Sequence, residues 1–132
     1  MNINIHYSGG GYWVANIVNS LNIKGELVRD SGAEGLEYKT LFAQEDGRRL
    51  RANLVTVYPG GVTRNHQHDW EQINYILEGK GLLIVDDNIK EPLEIEAGMA
   101  IHVPGGETHY YKNSGSEPLL MLGVLGPMPI VE

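Results

Sequence analysis

From residue 36 onward the chain breaks into short runs of apolar and alternating residues, each closed by glycine, proline or an Asp-Asn turn. That punctuation constrains the fold more than any other feature, because it leaves no room for helices of ordinary length. Strand-like runs occupy Leu36 to Ala43, Leu50 to Tyr58, Glu71 to Leu77 and Gly81 to Val85. Leu93 to Ile95, Ala100 to Val103, Thr108 to Lys112 and Leu119 to Val124 complete the set. Pro59-Gly60-Gly61, Glu78-Gly79 and Asp86-Asp87-Asn88 supply the turns between them. About eight short strands at such spacing predict an all-β barrel or sandwich. The best helical pattern is Val14, Ile17, Val18 and Leu21, in a short asparagine-rich stretch that predicts at most one brief helix. No linker divides the chain. The expected organisation is an N-terminal extension, 1–35, and a barrel, 36–132, with Gly126-Pro127-Met128-Pro129 as a C-terminal arm on the surface or on a partner subunit.

Composition narrows the function classes. A chain of 132 residues with 42% hydrophobic content can bury a core without staples. It contains no cysteine, which removes disulfides, thiolate ligands and thiol nucleophiles from consideration. The formal net charge is −7, and the densest basic group is only Arg48, Arg49 and Arg51. A nucleic-acid partner is not expected from such a balance. No apolar run approaches a membrane span, and Met1 to Gly11 lacks the apolar centre of a signal peptide, so the expected location is cytoplasmic.

Three of the five histidines carry the chemistry. His66 and His68 are two apart, a spacing that puts both side chains on one face of a strand, about 6.7 Å between Cα atoms. Gln72 has the same parity, and His109 opens a later strand that hairpins can return across a barrel. Three imidazoles and one oxygen suit a divalent first-row ion, Fe, Mn, Ni, Co, Zn or Cu. Glu71 is the rival oxygen donor, but its parity points it to the opposite face unless a bulge intervenes. Arg64 and Asn74 share the ligand parity and are candidates for substrate binding, Arg64 toward a carboxylate. Tyr111 follows His109 by two, where a phenol can serve as acid or base. His102 is a weaker candidate for the cavity wall, and His6 reads as an ordinary surface or core histidine. Trp70 and Tyr75 have the opposite parity and are expected outside the barrel, under a neighbouring subunit.

At these residues the chain resembles the cupin superfamily. The first cupin motif is glycine, five residues, His-x-His, three or four residues, glutamate, six residues, glycine. Gly60, His66, His68, Gln72 and Gly79 match every spacing, with glutamine in the glutamate place. The second motif is matched without departure by Gly98, Pro104, Gly106, His109 and Asn113. The resemblance implies a double-stranded β-helix, or jelly roll, with one metal ion near a mouth on His66, His68 and His109, and with Gln72 fourth. The segment from His66 to Gln72 is also similar to small cupins acting on unsaturated uronates, in which glutamine is a ligand. The reading is a metal-dependent protein acting on a small polar, carboxylate-bearing molecule by lyase or isomerase proton chemistry. An oxygen-dependent dioxygenase and a non-catalytic binding or sensing protein remain alternatives. A homodimer is expected, because a small jelly roll leaves strand edges to cover, with the N-terminal extension packed on the barrel or across the partner.

Overall fold

The computed structural model describes residues 5–6, 15–44 and 48–129. Two short strands, β1 (Ile5–His6) and β2 (Asn16–Ile17), pair antiparallel ahead of the main sheet. The barrel is built from β3 (Glu26–Val28), β4 (Glu34–Phe42), β5 (Arg51–Val62), β6 (Glu71–Glu78), β7 (Lys80–Val85), β8 (Leu93–Glu96), β9 (Ala100–Val103), β10 (His109–Lys112) and β11 (Leu119–Gly126). Its strands follow the order β8-β7-β10-β5-β11-β6-β9, with β4 added to β5 and β3 to β4. Every pairing is antiparallel. The curled sheet is the all-β barrel that the turn spacing predicts, in the jelly-roll form that the resemblance to cupins implies.

The inward residues of each strand change character along its length. On β5 they run Asn53, Val55, Val57; on β6, Gln72, Asn74, Ile76; on β10, His109 and then Tyr111. The barrel therefore has a polar mouth above an apolar floor. That floor joins Leu36, Val55, Val57, Ile76, Leu83, Ile95, Leu119 and Met121 in one buried cluster. Each such aliphatic side chain contributes about 1.5–3 kcal/mol by leaving water. The mouth has no comparable apolar gain, and its polar groups must find partners instead.

Two sequence expectations require correction. The Val14 to Leu21 pattern is not a helix over its described part, which holds β2 and one 3₁₀ turn, Ser20–Asn22. Asn19 caps that turn by accepting from the Leu21 N–H at 3.0 Å, and Leu21 is 84% exposed, so no apolar face exists to hold a helix. Pro59-Gly60-Gly61 does not end a strand: β5 bends there and continues to Val62. Gly60 takes φ +81°, and a side chain on Gly61 would collide with the carbonyls of Glu34 and Gly35. The tail packs on its own chain, with Met128 buried and Arg49 Nε donating to the Met128 carbonyl at 3.0 Å.

Candidate metal centre

Two loops bring the motif histidines together. His66 forms an isolated bridge to His109, whose N–H donates to the His66 carbonyl at 3.3 Å. The turn before β10 lies against the segment before β6, where the Gly106 N–H donates to the His68 carbonyl at 2.7 Å. This approach requires glycine at 105, since a Cβ there would strike the Asp69 carbonyl. Gly105 thus sets the distance between the loops that carry His68 and His109.

The imidazoles form a triangle with ring centroids 5.4 Å (His66 to His68), 5.6 Å (His68 to His109) and 6.0 Å (His66 to His109) apart. Nδ1 of His68 faces the Trp70 carbonyl oxygen at 2.9 Å, and Nδ1 of His109 faces that of Glu107 at 3.1 Å. A carbonyl only accepts, so each Nδ1 carries the proton and each Nε2 keeps its lone pair. Both Nε2 atoms face Gln72 Oε1, at 3.1 Å from His68 and 3.3 Å from His109. Three electron-pair donors therefore meet with no proton among them, and a cation removes their mutual repulsion. Two donors about 2.1 Å from one ion at right angles stand about 3.0 Å apart, close to these separations. Among the described residues no three His, Cys, Asp or Glu side chains already close on one point. The donor set fits a divalent ion chemically.

Electrostatics favour neutral rings at His66 and His109. Burial lowers the His66 pKa, helped by the neighbouring His68 and His109, and burial likewise lowers that of His109. Behind the imidazoles runs a chain of amides. Gln72 Nε2 donates to Asn74 Oδ1 at 2.6 Å, and the Tyr111 hydroxyl donates to the same oxygen at 2.7 Å. Burial pushes the Tyr111 phenol well above its usual range. Tyr111 thus keeps its proton and orients Asn74, a geometry that favours positioning over proton abstraction.

The remaining candidates divide between cavity and exterior. Arg64 lines the cavity, but its guanidinium is paired with Asp30 and lies over the Tyr38 ring at 5.4 Å. Asp30 is held below the usual carboxylate range by that hydrogen bond. Glu71 faces outward and meets His102 Nε2 at 2.8 Å on an exposed surface, so neither is brought to the imidazoles. Tyr75 is exposed, as its parity predicts. Trp70 is not outside: its indole stacks on His68 and lines the cavity. Strand alternation fails for it because β6 begins only at Glu71. His6 lies beyond the residues whose side chains are described. Arg51, Asn53 and Tyr38 also line the mouth, a cavity of about 150 Å³. Sequence reasoning missed all three, although Arg51 and Asn53 share a face of β5 by simple alternation. A larger hollow of about 350 Å³ between Lys80, Glu94 and Met99 contains no imidazole.

The sequence pattern of the cupin domain family, Cupin_2, matches residues 53–125. The chain is 34% identical over 114 residues to Auxin-binding protein 1 of Arabidopsis thaliana, covering 80% of this chain and 58% of that protein. The chain spans roughly half the length of the curated relatives it matches. The crystal structure of a predicted oxalate decarboxylase from Thermotoga maritima superposes with a TM-score of 0.76 at 26% identity, over 85% of this chain and 99% of that one. The polyketide cyclase RemF from Streptomyces resistomycificus gives 0.72 at 29% identity, over 88% and 87%. Among the described residues no helix is long and apolar enough to cross a membrane.

Proposed function

The chain belongs to the cupin domain family, and on that premise we propose that it is a metal-dependent enzyme acting on a small carboxylate-bearing molecule by proton chemistry of the lyase or isomerase type. The observation that carries the reading is the meeting of two Nε2 lone pairs on Gln72 Oε1 beside a third imidazole. His66, His68, His109 and Gln72 would hold one divalent transition ion, which supplies Lewis-acid polarisation of a bound oxygen atom. Asn74 and Tyr111 hold the Gln72 amide so that its oxygen faces the imidazoles. The pairing of Arg64 with Asp30 leaves that cation neutralised at the wall. The stacked Trp70 shields one face of His68 from water. Two structural relatives named for a predicted decarboxylase and a cyclase support an enzymatic reading. The similarity to a protein named for binding auxin favours a second reading, a non-catalytic receptor for a small carboxylate in the same cavity.

A cytoplasmic homodimer completes the proposal. The dimer rests on Ile73, Tyr75 and Leu77, which expose 52%, 44% and 41% of their surface along the outer face of β6. The central test is elemental analysis of the purified protein, and of metal-free protein reloaded with Zn, Ni, Mn or Fe. About one ion per chain is expected, falling sharply in His66→Ala, His68→Ala and His109→Ala. A wild-type chain that takes up no ion, or three variants that all load fully, overturns the metal assignment.

A further inference from the structure

Three polar atoms buried at the mouth have no hydrogen-bond partner among the described residues: Arg51 Nε, Asn53 Oδ1 and Trp70 Nε1. All three residues line the same cavity of about 150 Å³ that adjoins His66, His68 and Gln72. A buried unpartnered donor costs about 1–3 kcal/mol, and more when charged, so three around one small space point to something that fills it. We propose that Arg51, Trp70 and Asn53 form a recognition site for a small hydroxycarboxylate. This inference rests on reading that cavity as the substrate site.

The chemistry of the three atoms defines the ligand. Arg51 Nε–H and Trp70 Nε1–H only donate, so they require an acceptor, and the guanidinium selects an anionic one. Asn53 Oδ1 only accepts, so it requires a donor such as a hydroxyl. Asn53 lies two residues from Arg51 on the same face of β5, with Cα atoms about 6.7 Å apart, so one small ligand can reach both side chains. Gly123, paired with Asn53 across the β11 ladder, carries no side chain and leaves the space open between Asn53 and Asn74. The cavity of about 150 Å³ suits a small acid. Charge points the same way. The chain carries −7 overall, so an anion needs a local cation, and Arg64 is already paired with Asp30. Among the described residues Arg51 is the guanidinium at this cavity with no carboxylate against it.

The experiment uses glycolate as probe, with acetate lacking the hydroxyl and glycolamide lacking the charge. Binding is followed by calorimetry and by the ¹⁵N shift of the Trp70 indole N–H, in zinc-loaded and metal-free protein. Glycolate can chelate an ion by itself, so the metal-free protein is the deciding sample. Glycolate should move the indole resonance, and acetate and glycolamide should each bind about tenfold or more weakly. Arg51→Met should lose about tenfold or more in glycolate affinity with its melting temperature and zinc content kept. Trp70→Phe, which retains the stacked ring, should lose less. Unchanged glycolate affinity in folded Arg51→Met overturns the site while leaving the metal centre standing. Equal binding of acetate and glycolate removes the role of Asn53. Arg51-dependent glycolate binding by a protein that takes up no metal would uphold the site and overturn the metal reading instead.

Discussion

The indole of Trp70 lies parallel to the imidazole of His68, with ring centroids 5.0 Å apart and 11° between the planes. A fluorophore stacked on an imidazole reports on whatever that ring binds. In a Trp13→Phe background, which leaves Trp70 as the single tryptophan of the two, titration with Cu²⁺ or Ni²⁺ should quench the emission strongly and saturably. His68→Ala should abolish the saturable phase. Emission indifferent to the ion in the parent protein would place the metal elsewhere.

Gln72→Glu tests the charge of the centre. A carboxylate lowers the charge of the loaded site by one unit, worth at most about 4 kcal/mol at about 4 Å and an effective dielectric near 20. The variant should hold metal more tightly and bind small carboxylates more weakly. Without metal it should be less stable by about 1–3 kcal/mol, because a carboxylate oxygen replaces the N–H that Gln72 donates to Asn74. Denaturant melts with and without zinc measure both effects.

Tyr111 carries an alkaline signature. Its phenol titrates higher in the folded chain than in the unfolded one, so the unfolded state loses its proton first. The stability this group provides is complete below the unfolded pKa of about 10 and declines as pH rises above it. Tyr38, whose pKa burial also raises, adds to the same trend. Urea midpoints between pH 9 and 11 should fall in the wild type and fall less in Tyr111→Phe. A Tyr111→Phe slope equal to the wild type's refutes the burial argument.

Gly105→Ala should damage the centre from outside it. The added methyl meets the Asp69 carbonyl and forces apart the loops that carry His68 and His109. A cost of about 1–3 kcal/mol in stability is expected, with weaker zinc binding measured by competition with a chelator. Gly106→Ala gives a contrasting control: its Cβ meets open space, and its φ of +83° makes the cost conformational, not steric.

The outer face of β6 predicts the assembly. Light scattering at micromolar concentration should give twice the chain mass. Ile73→Lys combined with Leu77→Lys should give a monomer with the same circular dichroism spectrum. A wild-type monomer disposes of the dimer.

Much of this architecture could be read before any coordinates, for a physical reason. Glycine and proline mark turns locally, so the barrel strands from Leu36 to Val124 were visible within a few residues of their true ends. β3 escaped because Glu26-Leu27-Val28 is too short for a pattern, and only pairing with β4 makes it a strand. Gln72 was found by alternation, although the alternation does not run unbroken from His68, since residues 67–70 form a loop. The same assumption misplaced Trp70. Arg51 went unnoticed because a cation near other cations reads as a solvated surface until the sheet curls and turns it inward.

The ion pair between Asp30 and Arg64 joins two parts of the chain that a boundary near residue 35 would separate. A barrel grafted without the preceding turn would keep its histidines yet expose an unopposed guanidinium beside them. Its pocket would then greet anions with two cations where the intact chain offers one. With the cavity read as the substrate site, Asp30 would act as a counterweight on anion selectivity, and recombination between relatives at this seam would retune which acids enter while leaving every imidazole in place.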